Sequence, residues 1–118
     1  MPESAPIYDQ WEKAASRLMM TLGRNPAAWI FAAPVNAEKL SILDYYKVIK
    51  EPMDFGTIKI KLKEHKYQKI EEFIRDMELV FTNCKLYNGE TTEVGKMGKA
   101  VHEEFDRLKE QLFLDFYV

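Results

Sequence analysis

The chain has one cysteine, Cys84, so no disulfide can form within it. A reducing compartment is the simple expectation. No apolar run approaches the roughly 20 residues that cross a bilayer, so no membrane association is expected. The first residues, Met1-Pro2-Glu3-Ser4-Ala5-Pro6, lack a basic patch followed by an apolar stretch, so they do not resemble a secretory signal. They read instead as a flexible lead, residues 1–6, before a single domain at residues 7–118. Neither sign of charge is in marked excess. There are 17 basic and 19 acidic side chains, a formal net charge of -2, which gives the domain as a whole no attraction to nucleic acid or an anionic surface. Internal repeats and low-complexity tracts are also missing.

What is present is helical periodicity. Ile70, Phe73, Ile74, Met77, Val80, Phe81 and Cys84 fall on one face of a helix, with Glu71, Glu72, Arg75, Asp76 and Glu78 largely on the other. Asn88-Gly89 stops this helix, since both residues tolerate turn conformations. Val94, Met97, Val101, Phe105, Leu108 and Leu112 mark a second helix. Ile7, Trp11, Ala15, Leu18 and Leu22 mark another, ending near Gly23-Arg24-Asn25-Pro26, and Phe55, Ile58 and Leu62 a short fourth. No segment alternates like a strand. Four helices with one apolar stripe each bury those stripes most simply in an all-α four-helix bundle.

One connection does not suit a plain bundle. From Asn25 to Asp54 it covers about 30 residues, where bundle loops have about 2–8. It carries Trp29, Ile30, Phe31, Val35, Leu40, Ile42, Leu43, Tyr45, Tyr46, Val48, Ile49 and Met53. A solvated loop does not hold so much apolar surface, so this one is expected to pack on the bundle and form a pocket wall.

Reaction chemistry finds little support. His65, Cys84 and His102 are isolated in sequence, with no CxxC, HxxxH or HExxH spacing, so surface histidines, a buried thiol and no metal are expected. No GxSxG elbow or phosphate-cradling glycine loop occurs, and Gly95-Lys96-Met97-Gly98 sits inside a helical pattern. No cofactor is implied. Lys59, Lys61, Lys63, Lys66 and Lys69 form a basic stretch that reads best as a solvated face, with a weak auxiliary DNA contact as the sharper alternative. Asn88, taken alone, is a helix-end residue of ordinary kind.

Three segments carry a resemblance. They are Trp29-Ile30-Phe31-Ala32-Ala33-Pro34-Val35, then the block from Asp44-Tyr45-Tyr46 through Glu51-Pro52-Met53-Asp54-Phe55-Gly56-Thr57-Ile58, then Phe81-Thr82-Asn83-Cys84-Lys85-Leu86-Tyr87-Asn88. Together they resemble the bromodomain family, most of all BET-type first bromodomains, with coverage from about Ile7 to Phe116. The resemblance implies a left-handed antiparallel bundle of helices Z, A, B and C, with a long ordered ZA loop and a short BC loop. It implies a nuclear chromatin reader, not an enzyme, that binds acetyl-lysine on histone tails, H4 or H3, and recruits its parent protein for transcription regulation. The alternative is a helical interaction scaffold indifferent to acetylation. As an isolated domain it is expected to be a monomer.

By the same resemblance Asn88 is the acetyl-lysine asparagine and Tyr45 the tyrosine that holds the acetyl carbonyl through a water. Val35, Leu40 and Ile42 form the ZA wall, Tyr87 and Cys84 line the pocket, Val94 is the gatekeeper, and Trp29, Ile30 and Phe31 form the shelf. Ile30 stands where the family has proline, and Ala32-Ala33 replace larger polar residues. Val94 is small enough to leave room for a second acetyl group, and Glu90 and Glu93 at the mouth favour lysine-rich peptides.

Overall fold

The computed structural model describes residues 4–117, with side chains for residues 11–112. Among these, five α-helices and one 3-10 turn occur and no strand. Helix α1 is Ser4–Gly23, α2 Tyr45–Val48, α3 Phe55–Lys63, α4 Ile70–Asn88 and α5 Glu93–Tyr117, and the 3-10 turn is Ala28–Phe31. The four longer helices are those the periodicity predicts. They close a ring in which α1 packs on α3, α3 on α4, α4 on α5 and α5 on α1, which is the expected four-helix bundle. No helix among the described residues is long and apolar enough to cross a membrane.

Helix α1 begins at Ser4, inside the segment expected to be a lead. Proline in a first helical turn gives up only an N–H that has no partner there anyway, so Pro6 does not obstruct it. Residues 1–3 and the side chains of Ile7 and Phe116 lie outside what is described. Further along, Trp11, Ala15, Leu18, Met19 and Leu22 are all buried at helical spacing. Phe73 and Phe105 centre the core without exposure, and the Phe81 ring lies 5.6 Å from that of Phe105. The turn after α1 is tied to α5 by Asn25, whose amide donates to the Glu104 carboxylate at 2.7 Å.

The lower half of the bundle holds a polar group that the helical wheel put on the wrong side. Asp76, read as part of a solvated face, is buried at 3% exposure. Its Oδ2 accepts the Tyr67 hydroxyl at 2.6 Å and the Lys61 ammonium at 2.7 Å. Lys61 also lies 4.7 Å above the Tyr67 ring. The lysine stretch is therefore not uniformly solvated, because one member is spent on a buried carboxylate. Burial, reinforced by the bond to Asp76, holds the Tyr67 hydroxyl far above the ordinary tyrosine range and keeps it a donor.

The long connection is ordered by elements of its own. The 3-10 turn sends Phe31 into the bundle core, against Phe55 at 5.3 Å and Phe81 at 5.6 Å. The chain then passes over the start of α3 so closely that a Cβ on Gly56 would lie 2.6 Å from the Ala32 carbonyl oxygen, which is why glycine stands there. Beyond it, Ala37, Tyr45 and Ile49 form a second, smaller core with Val35, Ile42 and Tyr87. The loop packs on the bundle and walls a cavity, as its composition suggests, but not every large apolar group in it is covered. Trp29 is 69% exposed, and Leu40, Leu43 and Tyr46 are exposed as well.

Candidate functional site

The floor of the site is the last two turns of α4. Val80, Asn83, Cys84, Tyr87 and Asn88 recur at helical spacing and share one face. The turn residue that ends the helix is Gly89, at φ 76°, a conformation glycine adopts without steric cost. Asn88 is thus the last helical residue and not the cap, and its side chain is not consumed by the helix end. One amide N–H reaches the Cys84 carbonyl at 3.1 Å. The NH2 also contacts the Cys84 sulfur, a weak acceptor 3.8 Å away.

The connection from α4 to α5 is short and fixed by one hydroxyl. Thr92 Oγ1 donates to the Asn88 carbonyl at 2.9 Å and accepts from the Gly95 N–H at 3.0 Å. It closes one helix end and opens the next, and it anchors the backbone of Asn88. Gly95 is required because a Cβ there would stand 2.0 Å from the Gly89 carbonyl oxygen. Gly98, one turn on, lets α5 approach so closely that a Cβ would come within 2.6 Å of the Cys84 sulfur.

The opposite wall is the long loop, held to α4 by an exposed ion pair of Arg75 with Glu51 at 3.1 Å and by two hydrogen bonds nearer the site. Asn83, itself buried, donates to the Glu51 carbonyl at 2.9 Å. The Tyr87 hydroxyl donates to the Asp44 carboxylate at 2.6 Å. Within the loop, the Tyr46 hydroxyl donates to the Val35 carbonyl at 2.8 Å. Tyr45 is buried, with its ring edge-on to Tyr87 at 5.0 Å. Burial raises its pKa, as do the neighbouring Tyr46 and Cys84, so its hydroxyl stays protonated and can donate.

Between these walls is a cavity of about 360 Å³. All the residues picked from the sequence line it: Trp29, Ile30, Phe31, Val35, Leu40, Ile42, Tyr45, Cys84, Tyr87, Asn88 and Val94. Ala33, Met53, Asp54, Val80 and Asn83 also line it and were not picked. Asn83 and Val80 were legible as one and two turns before Tyr87, on its face of the helix. Met53-Asp54 sat inside the second matching segment. The Asp54 carboxylate is spent on capping α3, where it accepts from the Thr57 N–H at 2.9 Å and the Thr57 hydroxyl at 2.6 Å. Val94, expected on the core stripe of α5, stands at the cavity mouth, 38% exposed.

Ile30 brings a backbone N–H that proline lacks, and this N–H donates to the Ala27 carbonyl at 3.4 Å while the side chain packs on the bundle core. Of the two glutamates expected to act at the mouth, Glu90 is engaged with Lys85 at 3.4 Å.

The chemistry of the lining is that of recognition. Burial pushes the Cys84 thiol up, only partly offset by the bond from Asn88, which keeps it protonated and a poor nucleophile. Neither histidine lines the cavity. His65 meets Glu12 at 3.0 Å on the surface. His102, read as isolated, stacks on Phe81 at 4.4 Å and meets Glu78 at 2.9 Å. Glu78, His102 and Asp106 bring donor atoms within 4.8 Å of one another. The Lys109 ammonium already stands there, 3.2 Å from Glu78 and 3.5 Å from Asp106.

Residues 15–100 match the family model described as Bromodomain. The chain is similar to the SWR1 complex bromodomain subunit bdf1 of Schizosaccharomyces pombe, with 44% identity over 101 residues, 86% of this chain and 18% of that protein. It is also similar to the histone acetyltransferase GCN5 of Debaryomyces hansenii, with 45% identity over 75 residues, 64% of this chain and 16% of that protein. The chain thus spans less than a fifth of the length of either relative.

Proposed function

This chain belongs to the bromodomain family, and from that premise we propose that it is an acetyl-lysine reader, not an enzyme, acting on acetylated histone tails in the nucleus. The observation that carries the reading is the Asn88 amide, one N–H of which meets no stronger acceptor than the Cys84 sulfur, at the end of an otherwise largely apolar cavity of about 360 Å³. Acetylation converts a strongly hydrated ammonium into a neutral amide with a methyl group. An apolar slot rejects the first, because an unpaired buried charge is very costly, and admits the second. The acetyl carbonyl then needs a donor, and Asn88 supplies it.

Histone tails are supported by the relatives, one named a histone acetyltransferase and one a subunit of the SWR1 complex. Within the family the three matching segments resemble BET-type first bromodomains most, and we assign the chain to that subtype, with H4 or H3 tails as ligands. Lys59, Lys63, Lys66 and Lys69 are exposed and supply the weak auxiliary contact to DNA phosphates that we include in the proposal.

Calorimetry with paired acetylated and unmodified H4 and H3 tail peptides tests the reading. Binding is expected only to the acetylated members, at about 10–100 µM for a single mark, because only one short side chain is gripped. Equal affinity for both members of each pair would instead make the domain an interaction scaffold.

Tyr45→Phe is expected to weaken the acetylated peptide by about 2- to 5-fold, since a water-mediated bond to the carbonyl is lost while the ring stays in place. A loss as large as that from removing the Asn88 side chain would contradict the ranking of the two residues.

A further inference from the structure

The bond between Asp44 and Tyr87 is not accounted for by folding needs alone. Asp44 stands at the N-cap of α2, where an aspartate ordinarily accepts an N–H of the first turn. Here it makes no such bond. Its carboxylate reaches across 43 residues of sequence to the Tyr87 hydroxyl at 2.6 Å. A local stabilising option is given up for a long-range one, and such breaks with local rules mark functional places.

The consequence is geometric. Tyr45 follows Asp44 directly, and Asn88 follows Tyr87 directly. The two groups that would meet the acetyl carbonyl are each one residue from this bond, on opposite walls of the cavity. The edge-on contact of the Tyr45 and Tyr87 rings lies beside it. The bond is exposed, and the small core beneath α2 is separate from the bundle core. Besides this bond, α2 meets the end of α4 through the Tyr45–Tyr87 ring contact and the small core that Tyr87 joins.

We propose that Asp44 and Tyr87 form a latch that sets the spacing of Tyr45 and Asn88, making both positioning residues for acetyl-lysine binding, a role that rests on the reader function proposed above. The latch acts by removing open loop conformations from the unliganded protein, so its loss lowers affinity through the fraction of molecules ready to bind.

A double-mutant cycle tests it, using Tyr87→Phe and Asp44→Ala with the 118-residue protein. Each variant is expected to weaken an acetylated histone-tail peptide about 3- to 10-fold, and the double variant no more than the more damaging single one, because both break the same bond. Asp44→Asn keeps an acceptor and is expected to stay within about 2-fold of the parent. The thermal midpoint of Tyr87→Phe is expected to stay unchanged.

Hydrogen exchange reads the same bond without any ligand. The N–H groups of Tyr45 and Ile49, which donate to Ile42 and Tyr45, are expected to exchange about tenfold faster in the unlatched variants, while those of α4 do not change. Additive losses in the cycle, or unchanged exchange at residues 45–49, would overturn the latch. If the parent protein binds no acetylated peptide, the reader function falls, and the exchange measurement alone still decides whether the latch exists.

Discussion

Replacing Asn88 with alanine is expected to weaken acetylated-peptide binding by at least about 30-fold and to shift the thermal midpoint by less than about 3 °C. The two numbers come from opposite sides of one side chain. Toward the ligand, Asn88 is the direct donor in the proposed function, set among Val80, Cys84, Val94 and the loop wall. Leaving a carbonyl unpaired there costs about 1–3 kcal/mol, and the apolar surroundings favour the upper half of that range. Toward the protein, the side chain makes a hydrogen bond of 3.1 Å to the Cys84 carbonyl and a weak one of 3.8 Å to the Cys84 sulfur, and stays partly exposed. Gly89 performs the turn, Thr92 holds the Asn88 backbone, and alanine is the better helix former. Calorimetry and a melting curve on the same preparation check both halves. Binding retained within about threefold would mean that the carbonyl is held elsewhere, while a midpoint lowered by about 10 °C would mean that the helix end depends on Asn88 after all.

The largest expected loss of stability from a polar residue is at Asp76, far from the site. Asp76→Ala is expected to destabilise the domain by about 3 kcal/mol, seen as a drop in melting temperature of about 10–15 °C. The carboxylate carries two bonds from partners with unequal freedom. Lys61 is part-exposed, with 34% of its side chain accessible, and can turn its ammonium toward water. Tyr67 cannot, because it is buried between α3 and α4 with its hydroxyl aimed at the missing group. Most of the loss therefore comes from a stranded hydroxyl and the cavity beside it. Asp76→Asn keeps an acceptor for Tyr67 and is expected to lose about half as much. Equal losses for the two substitutions, measured by denaturant unfolding, would mean that charge and not the hydrogen bond dominates. A loss under about 1 kcal/mol for alanine would mean that Tyr67 finds water.

Asp76 also shows where sequence reading stops. Periodicity located the four bundle helices because burial repeats every three or four residues, and that is a local property of the chain. An aspartate at the edge of the stripe looks solvated until its partners are known, and Lys61 and Tyr67 lie on other segments, 15 and 9 residues away. His102 against Glu78 is the same case across α4 and α5. The short helix α2 escaped notice because four residues have no period to display. The cavity residues were legible for a different reason. They are concentrated in three continuous segments, so a match in order identified them without any knowledge of which walls face each other. What that match did not carry was the division of labour at the end of α4, where Gly89 takes the turn and the Asn88 side chain lines the cavity.

Phe31 and Cys84 each stand in two places at once. Both line the cavity, and both belong to the bundle core, Phe31 against Phe55 and Phe81, Cys84 against the closely packed Gly98. A change at either of these two residues therefore reshapes the cavity and loosens the bundle together. Trp29, Leu40 and Val94 at the mouth carry no such double duty, being exposed. The ligand preference of this domain can drift at its rim while its floor stays pinned, so variants selected for a new peptide, or for resistance to a small molecule that fills the cavity, should accumulate around the entrance.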